Sequence, residues 1–151
     1  MSLFDRLRYR LSRSGLTFIF RLHMFTYRLT GGALLGTSGR MPVLLLTTIG
    51  RKTGRPRRWL LSYFRDGERL VLVASNFGRE RHPDWYRNLQ ATPAVTVQIG
   101  RRKQRMIATT ATPDERAPLW EQAKALDPLY RAYERTANRE IPIVLLRAAD
   151  M

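Results

Sequence analysis

Between Ile49 and Trp59 the chain places five cations, Arg51, Lys52, Arg55, Arg57 and Arg58, around Gly50 and Gly54. The planar fork of arginine matches phosphate and carboxylate oxygens two at a time. Glycines let backbone N–H groups come close to an anion. This is a composition for holding a polyanion, although the Gly50-to-Gly54 spacing is not that of a GxxxxGK[ST] phosphate loop. A second stretch, Ser75 to Gln98, brings together a strand end, a turn at Phe77-Gly78 and a short helix opened by His82-Pro83. A helix N-terminus beside a polar turn also suits an anionic ligand. The plain alternative is a strand–helix–strand connection packed by Trp85 and Leu89.

Charge narrows the field of partners. The 151 residues carry 27 Lys+Arg against 12 Asp+Glu, a formal +15, and only Lys52, Lys103 and Lys124 are lysines. Such a surface attracts nucleic acid, anionic lipid or an acidic cofactor. The chain has no cysteine, and its two histidines, His23 and His82, lie far apart. Disulfides and thiolate-bound metal are excluded, and a zinc site is not expected. No Ser-His-Asp arrangement is visible either.

These groups need elements to position them. Phe4, Leu7, Leu11, Phe18, Leu22, Phe25 and Leu29 recur at helical spacing, with Arg6, Arg10, Arg13 and Arg21 mostly off the stripe. Residues 1–30 therefore read as an amphipathic helix, either packed on its own domain or lying on an anionic membrane surface. Its apolar run is too short to span a bilayer. Residues 31–40 are a Gly-rich linker, and a compact domain is expected over 41–151.

Within that domain Val43–Thr48 reads as a strand buried on both faces. Trp59–Phe64 reads as its partner, Asp66-Gly67 as a hairpin turn, and Arg69–Ala74 as the third strand. Val95–Ile99 and Met106–Ala111 follow, separated by a basic turn over Gly100–Arg105. Thr112-Pro113-Asp114-Glu115 opens a helix with an N-cap, a proline and first-turn acids. A shorter helix over Leu129–Ala137 displays Tyr130 and Tyr133, and Ile141–Leu146 is a last strand. Strands joined by tight hairpins predict an α+β fold built on a small antiparallel barrel with packed helices.

The string from Leu46 through Thr48-Ile49-Gly50-Arg51-Lys52-Thr53-Gly54-Arg55-Pro56-Arg57 resembles the signature of the deazaflavin (F420)-dependent nitroreductase family, which includes F420H2-dependent quinone reductases. The likeness continues through Arg65-Asp66-Gly67, Val73-Ala74-Ser75, His82 to Leu89, Ala91-Thr92-Pro93, Val95 to Gln98 and Arg139 to Val144. It implies a split β-barrel of the flavin-reductase-like type and hydride transfer from reduced coenzyme F420 to a quinone-like or nitro/enone acceptor. By motif match the anionic tail of the cofactor lies along Arg51, Lys52, Thr53, Arg57 and Arg58. The ring is flanked by Trp59, Leu60, Leu61 and Ser62 on one side and Val73, Ala74, Ser75 and Asn76 on the other. Asp84, Trp85, Tyr86, Arg87 and Asn88 grip it further. Ser75, Tyr130 and Tyr133 match the substrate face, with Tyr130 also near the cofactor.

Two departures stand out. Ser62 takes a place where the pattern has tyrosine, with Tyr63 one step on and therefore on the other strand face. Asn76-Phe77 replaces a lysine and a glycine. The alternatives are a non-catalytic F420 carrier or a barrel that takes FMN. A nucleic-acid module is disfavoured because the aromatics follow apolar patterns rather than alternating with cations. A menaquinone-like acceptor, a homodimer and a cytoplasmic protein resting on the inner membrane face complete the expectation.

Overall fold

The computed structural model describes residues 21, 22, 24–27, 29, 30, 37, 38 and 41–150. Phe4, Leu7, Leu11 and Phe18 of the expected amphipathic stripe lie outside them.

Eight strands are described: β1 (Thr37–Ser38), β2 (Met41–Ile49), β3 (Pro56–Ser62), β4 (Phe64–Asp66), β5 (Arg69–Val73), β6 (Ala94–Ile99), β7 (Arg102–Thr110) and β8 (Ile143–Ala148). All their pairings are antiparallel, in the order β1-β2-β6-β7-β8-β5-β4, with β3 attached to β2 alone. Three helices interrupt them: α1 (Asp84–Ala91), α2 (Pro113–Leu126) and α3 (Leu129–Thr136). This is the expected α+β split barrel.

The sheet curls because one face of nearly every strand feeds a common core. Leu44, Leu46, Leu70, Leu72, Val95, Val97, Met106, Ala108, Val144 and Leu146 meet there, with Trp85, Tyr86 and Leu89 of α1 among them. A second core forms on the outer side of β5 and β8. There Val71, Ile143 and Leu145 are covered by Leu119, Trp120, Ala123 and Tyr130 of α2 and α3. β2 is buried on both faces, as its near-continuous apolar run predicts: Leu44 and Leu46 point inward, while Val43 and Leu45 are buried on the opposite face.

That opposite face receives Tyr27. The described residues between 21 and 30 are helical, and Tyr27 is buried. Its hydroxyl lies 3.1 Å from the Val43 carbonyl oxygen and accepts from the Gly100 amide at 3.2 Å. Leu22, Phe25 and Leu29, spaced by three and four residues, stay exposed on the same helix.

Three local expectations need correction. Trp59–Phe64 is not one strand: the chain leaves β3 at Ser62 and restarts at Phe64, with the Tyr63 amide bonded to the Pro42 carbonyl oxygen at 3.0 Å. The basic turn is only two residues long, because Ile99 pairs with Arg102 and the cations up to Arg105 are already strand. In the Asp66-Gly67 turn only Gly67 takes a positive φ, of 60°. The start of α2 is as expected: the Thr112 hydroxyl accepts from the Glu115 amide and the Glu115 carboxylate accepts from the Thr112 amide, a complete capping box.

Tyr27→Phe removes the acceptor of the Gly100 amide and the donor to Val43. The expected loss is about 1–2 kcal/mol, a fall in Tm of about 3–6 °C. Hydrogen exchange at Gly100 should accelerate; unchanged protection there would contradict the docking of the helix through this hydroxyl.

Candidate cofactor and acceptor site

β3 stands at one margin of the curled sheet and β4 with β5 at the other. The backbone edge of β3 away from β2 therefore has no strand partner among the described residues, and the described barrel is open along that seam. Tyr63 bridges the two lips in a single step. Trp59 to Ser62 form one lip; Val73, Ala74 and Ser75, which run past the end of β4, form the other. Trp59 reaches toward the inner core, and its indole Nε1 is buried without a hydrogen-bond partner. A buried N–H with no acceptor is costly, and here it marks a place where a ligand oxygen would be welcome.

The β2–β3 hairpin carries the five cations. Gly50 closes it, donating to the Arg55 carbonyl oxygen and accepting from the Gly54 amide, both at 2.8 Å. A Cβ at Gly50 would fall 2.8 Å from Thr53 Oγ1 and 3.2 Å from the Arg55 carbonyl oxygen, so the turn requires glycine.

Arg51 already has partners within the protein. Its amide and Nη1 both donate to Asn88 Oδ1, at 3.2 and 3.0 Å, and its Nη2 reaches Asp84 Oδ1 at 3.1 Å. Asn88 is itself buried and donates to the buried Thr48 hydroxyl at 3.1 Å. The hairpin is thus clamped to the first turns of α1. Lys52, Arg55 and Arg57 remain exposed, with no ion pair among the described residues. Arg57 and Arg58 diverge, since neighbours on a strand point to opposite faces. Arg58 lies with Lys103, Thr47, Thr96, Gln98 and Leu45 around an outer cleft of about 190 Å³.

The second lip ends in a strained turn. Asn76, Phe77 and Gly78 all have positive φ, at 47°, 57° and 71°. Arg139 holds this turn, a residue that local spacing did not single out. Its Nη2 donates to the carbonyl oxygens of Ser75 at 3.0 Å and Ala74 at 3.2 Å, and its Nε to that of Arg79 at 3.0 Å. Its Nη1 lies 3.0 Å from His82 Nδ1. A guanidinium only donates, so Nδ1 accepts and the imidazole is neutral with its proton on Nε2. Burial, then the charges of Arg139 and Arg87, push the His82 pKa down; burial also lowers that of Arg139.

The other expected residues divide. Ser75 is half-buried on the lip, and its hydroxyl has no hydrogen-bond partner among the described residues. Tyr133 packs directly on the turn: a Cβ on Gly78 would stand 3.0 Å from Tyr133 Cα. Tyr130 stacks edge-on to Tyr133 at 6.1 Å but belongs to the outer core, where burial and then the nearby Asp127 charge raise its phenol pKa. Trp85 and Tyr86 are buried in the inner core, with Tyr86 Oη 2.9 Å from Thr110 Oγ1. Arg87 is half-buried. Ser75 therefore lies on the lip and Tyr133 against the turn that follows it, at the margin of the outer core to which Tyr130 belongs, while Trp85 and Tyr86 pack in the inner core.

The donor set fits a ligand with a planar head and an anionic tail. Exposed Lys52, Arg55 and Arg57 face solvent at one end of the seam, and the unpaired backbone edge of β3 runs along it, with the buried, unpartnered Trp59 indole N–H packed behind against the inner core.

Comparison with known proteins agrees with this geometry. The family model described as F420H(2)-dependent quinone reductase matches residues 19–148. An F420H(2)-dependent quinone reductase of Mycobacterium tuberculosis (strain ATCC 25618 / H37Rv) is 37% identical over 132 residues, covering 85% of this chain and 89% of that protein. Among solved structures, an F420-H2 dependent reductase (FDR-A) superposes with a TM-score of 0.64 at 33% identity, over 70% of this chain and 94% of its own. A structure described as a domain-swapped dimer superposes with a TM-score of 0.67 at 27% identity, over 97% of this chain and 100% of its own.

The depressed His82 pKa fixes the sign of one pH effect. The folded chain binds fewer protons at His82 than the unfolded chain does, so stability present above about pH 6.5 is lost as pH falls. Melting temperatures should drop between about pH 7.5 and about pH 5.5, and His82→Asn, which keeps an acceptor for Arg139, should flatten that dependence. An unchanged slope in the variant would mean that another group is responsible.

Proposed function

This chain belongs to the F420H(2)-dependent quinone reductase family, and from that premise we propose how its own residues serve the reaction. The enzyme is an oxidoreductase whose cofactor is coenzyme F420. Reduced F420 supplies the hydride when bound. Lys52, Thr53 and Arg57 would hold the phosphodiester and carboxylates of its tail, with Arg58 reaching the same anion from the outer face. Arg51 acts in a different way, by keeping the hairpin on α1 through Asn88 and Asp84. The backbone of Trp59–Ser62 and of Val73–Asn76 would flank the ring, and the open edge of β3 leaves amides and carbonyls there to bond it.

Ser75 is the residue we assign to the acceptor. Its free hydroxyl on the seam would donate to the oxygen of a quinone and stabilise the negative charge that develops there as hydride arrives. Tyr133 would close the same mouth, and Tyr130 would set the position of Tyr133 from behind. The observation that supports this reading is the half-buried Ser75 hydroxyl, without a partner among the described residues, on an open seam whose hairpin end carries the exposed cations Lys52, Arg55 and Arg57. The acceptor is a quinone-like ring such as menaquinone; nitro compounds belong to the broader resemblance.

The test is cofactor fluorescence titration followed by turnover with menadione. Lys52→Glu with Arg57→Glu should weaken F420 binding about 10- to 100-fold, more steeply at low salt, while leaving Tm nearly unchanged. Ser75→Ala should keep the affinity and lower kcat about tenfold or more. Tight binding without menadione-dependent reoxidation of F420H2 would favour a carrier instead, and preferential binding of FMN would replace the cofactor.

We further propose a peripheral site on an anionic bilayer for the N-terminal helix. No helix among the described residues is long and apolar enough to cross a membrane. Leu22, Phe25 and Leu29 nevertheless present an exposed apolar face on a chain of +15 charge, the combination that seats a helix at a lipid surface. Co-sedimentation with vesicles containing anionic lipid should be strong, and should fall when Leu22, Phe25 and Leu29 are changed together to serine. Equal binding by that variant would rule this face out. The serine variant also tests pairing of this face between two copies, which would appear as a dimer in scattering without lipid.

A further inference from the structure

Phe77 is the least explained residue of the site. It has φ 57° and ψ 33°, a left-handed conformation that bulky side chains adopt rarely. The residue is 65% exposed and joins neither hydrophobic core. Two unfavourable choices are therefore made at one position, a strained backbone and an apolar ring in water. A glycine at 77 would avoid both.

The turn does not hold this conformation loosely. Gly78 donates to the Ser75 carbonyl oxygen at 3.0 Å, Arg79 to that of Asn76 at 3.2 Å, and Asn76 Nδ2 to that of Arg81 at 2.8 Å. The Thr136 hydroxyl donates to the Gly78 carbonyl oxygen at 3.1 Å. Arg139 fixes the carbonyls on both flanks of the turn. Gly78 is pressed so closely on Tyr133 that a side chain there would collide with its Cα and ring. With both ends pinned, Phe77 is presented outward at a set place, two residues from Ser75 and next to the glycine that touches Tyr133. Strain kept by its surroundings in this manner marks a working position.

We propose that Phe77 is a specificity-determining residue for the acceptor: its ring forms one wall of the mouth and stacks on a flat, apolar, bicyclic quinone held by Ser75. Aromatic rings pair in offset or edge-on arrangements with a gain beyond simple burial, and the exposed phenyl gains a partner only when acceptor is present. The role rests on the reductase reading given above, and it concerns the acceptor alone, not the cofactor.

The variants are Phe77→Gly and Phe77→Leu in the full chain. Phe77→Gly should fold with equal or higher Tm, since the strain is relieved. F420 affinity should be unmoved in both. The KM for menadione should rise roughly three- to tenfold in Phe77→Gly with a smaller change for unsubstituted benzoquinone, and Phe77→Leu should fall between. A second readout does not need turnover: saturation-transfer NMR of menadione with the protein loaded with oxidised F420 should weaken in Phe77→Gly. Absence of any menadione turnover by the unaltered protein would sink the reductase reading while this binding measurement still decided the role of Phe77. Unchanged menadione binding and KM would overturn the proposal. So would a loss of dimer in Phe77→Gly without a change in KM, which would assign the ring to a second copy.

Discussion

The structure depends on a barrel that does not close. One strand, β3, has a single partner, and the chain crosses from one margin of the sheet to the other through Tyr63 alone. In a closed barrel every inner backbone group would be spent on a neighbour. Here a strip of donors and acceptors is left over at the middle of the molecule, between two walls already packed for other reasons. A planar ligand with polar edges is what such a slot can take without any dedicated catalytic side chain. The reactive atoms come with the cofactor, and the protein supplies position and a dry, polar-edged surface.

The two lips are held by different physics. On the hairpin side the visible ion pair, Arg51 with Asp84, is half exposed at its acidic end, with side-chain exposures of 24% and 58%. Such pairs contribute about 0–1 kcal/mol. The buried Asn88 matters more. It satisfies Thr48 and two donors of Arg51 at once, and removing it would leave buried polar groups unpaired at about 1–3 kcal/mol each. On the other side no carboxylate is used. Arg139 spreads its N–H donors over the carbonyl oxygens of Ala74, Ser75 and Arg79 and the ring of His82, so a positive charge stays beside the seam without being neutralised. The lip that carries Ser75 thereby keeps its shape, and on the proposed function its charge would attract a developing anion.

How much of this the sequence displayed depends on the range of each interaction. The capping box Thr112–Glu115 and the burial of Val43–Thr48 on both faces are set within a few residues, and they are legible as pattern. The split-barrel class followed from short hairpins and from the motif resemblance. The break at Tyr63 was not legible, because Trp59-Leu60-Leu61-Ser62-Tyr63-Phe64 is apolar on both alternating faces and only the distant Pro42 carbonyl marks the step. Arg102–Arg105 read as a turn because they are charged, yet pairing with β6 draws them into a strand. Tyr130 and Tyr133 looked alike at their spacing; burial by α2 separates them, which no local rule foretells. Arg139 is one arginine among many, and its role exists only where Ala74, Arg79 and His82 are brought together in space.

The same reasoning separates the two ends of the seam. Exposed cations on the hairpin would act over distance and weaken with salt; in the roles proposed above, Ser75, Phe77 and Tyr133 would act by contact. The turn Asn76–Gly78 is packed on and bonded to α3, and the hairpin is bonded to α1. The two ends are also joined through His82, which accepts from Arg139 on the turn side and packs on Tyr86 of α1, the helix that clamps the hairpin through Asn88 and Asp84. On the function proposed above, such a chain would vary the acceptor it takes at Asn76-Phe77 while the cations assigned to the cofactor tail stay as they are.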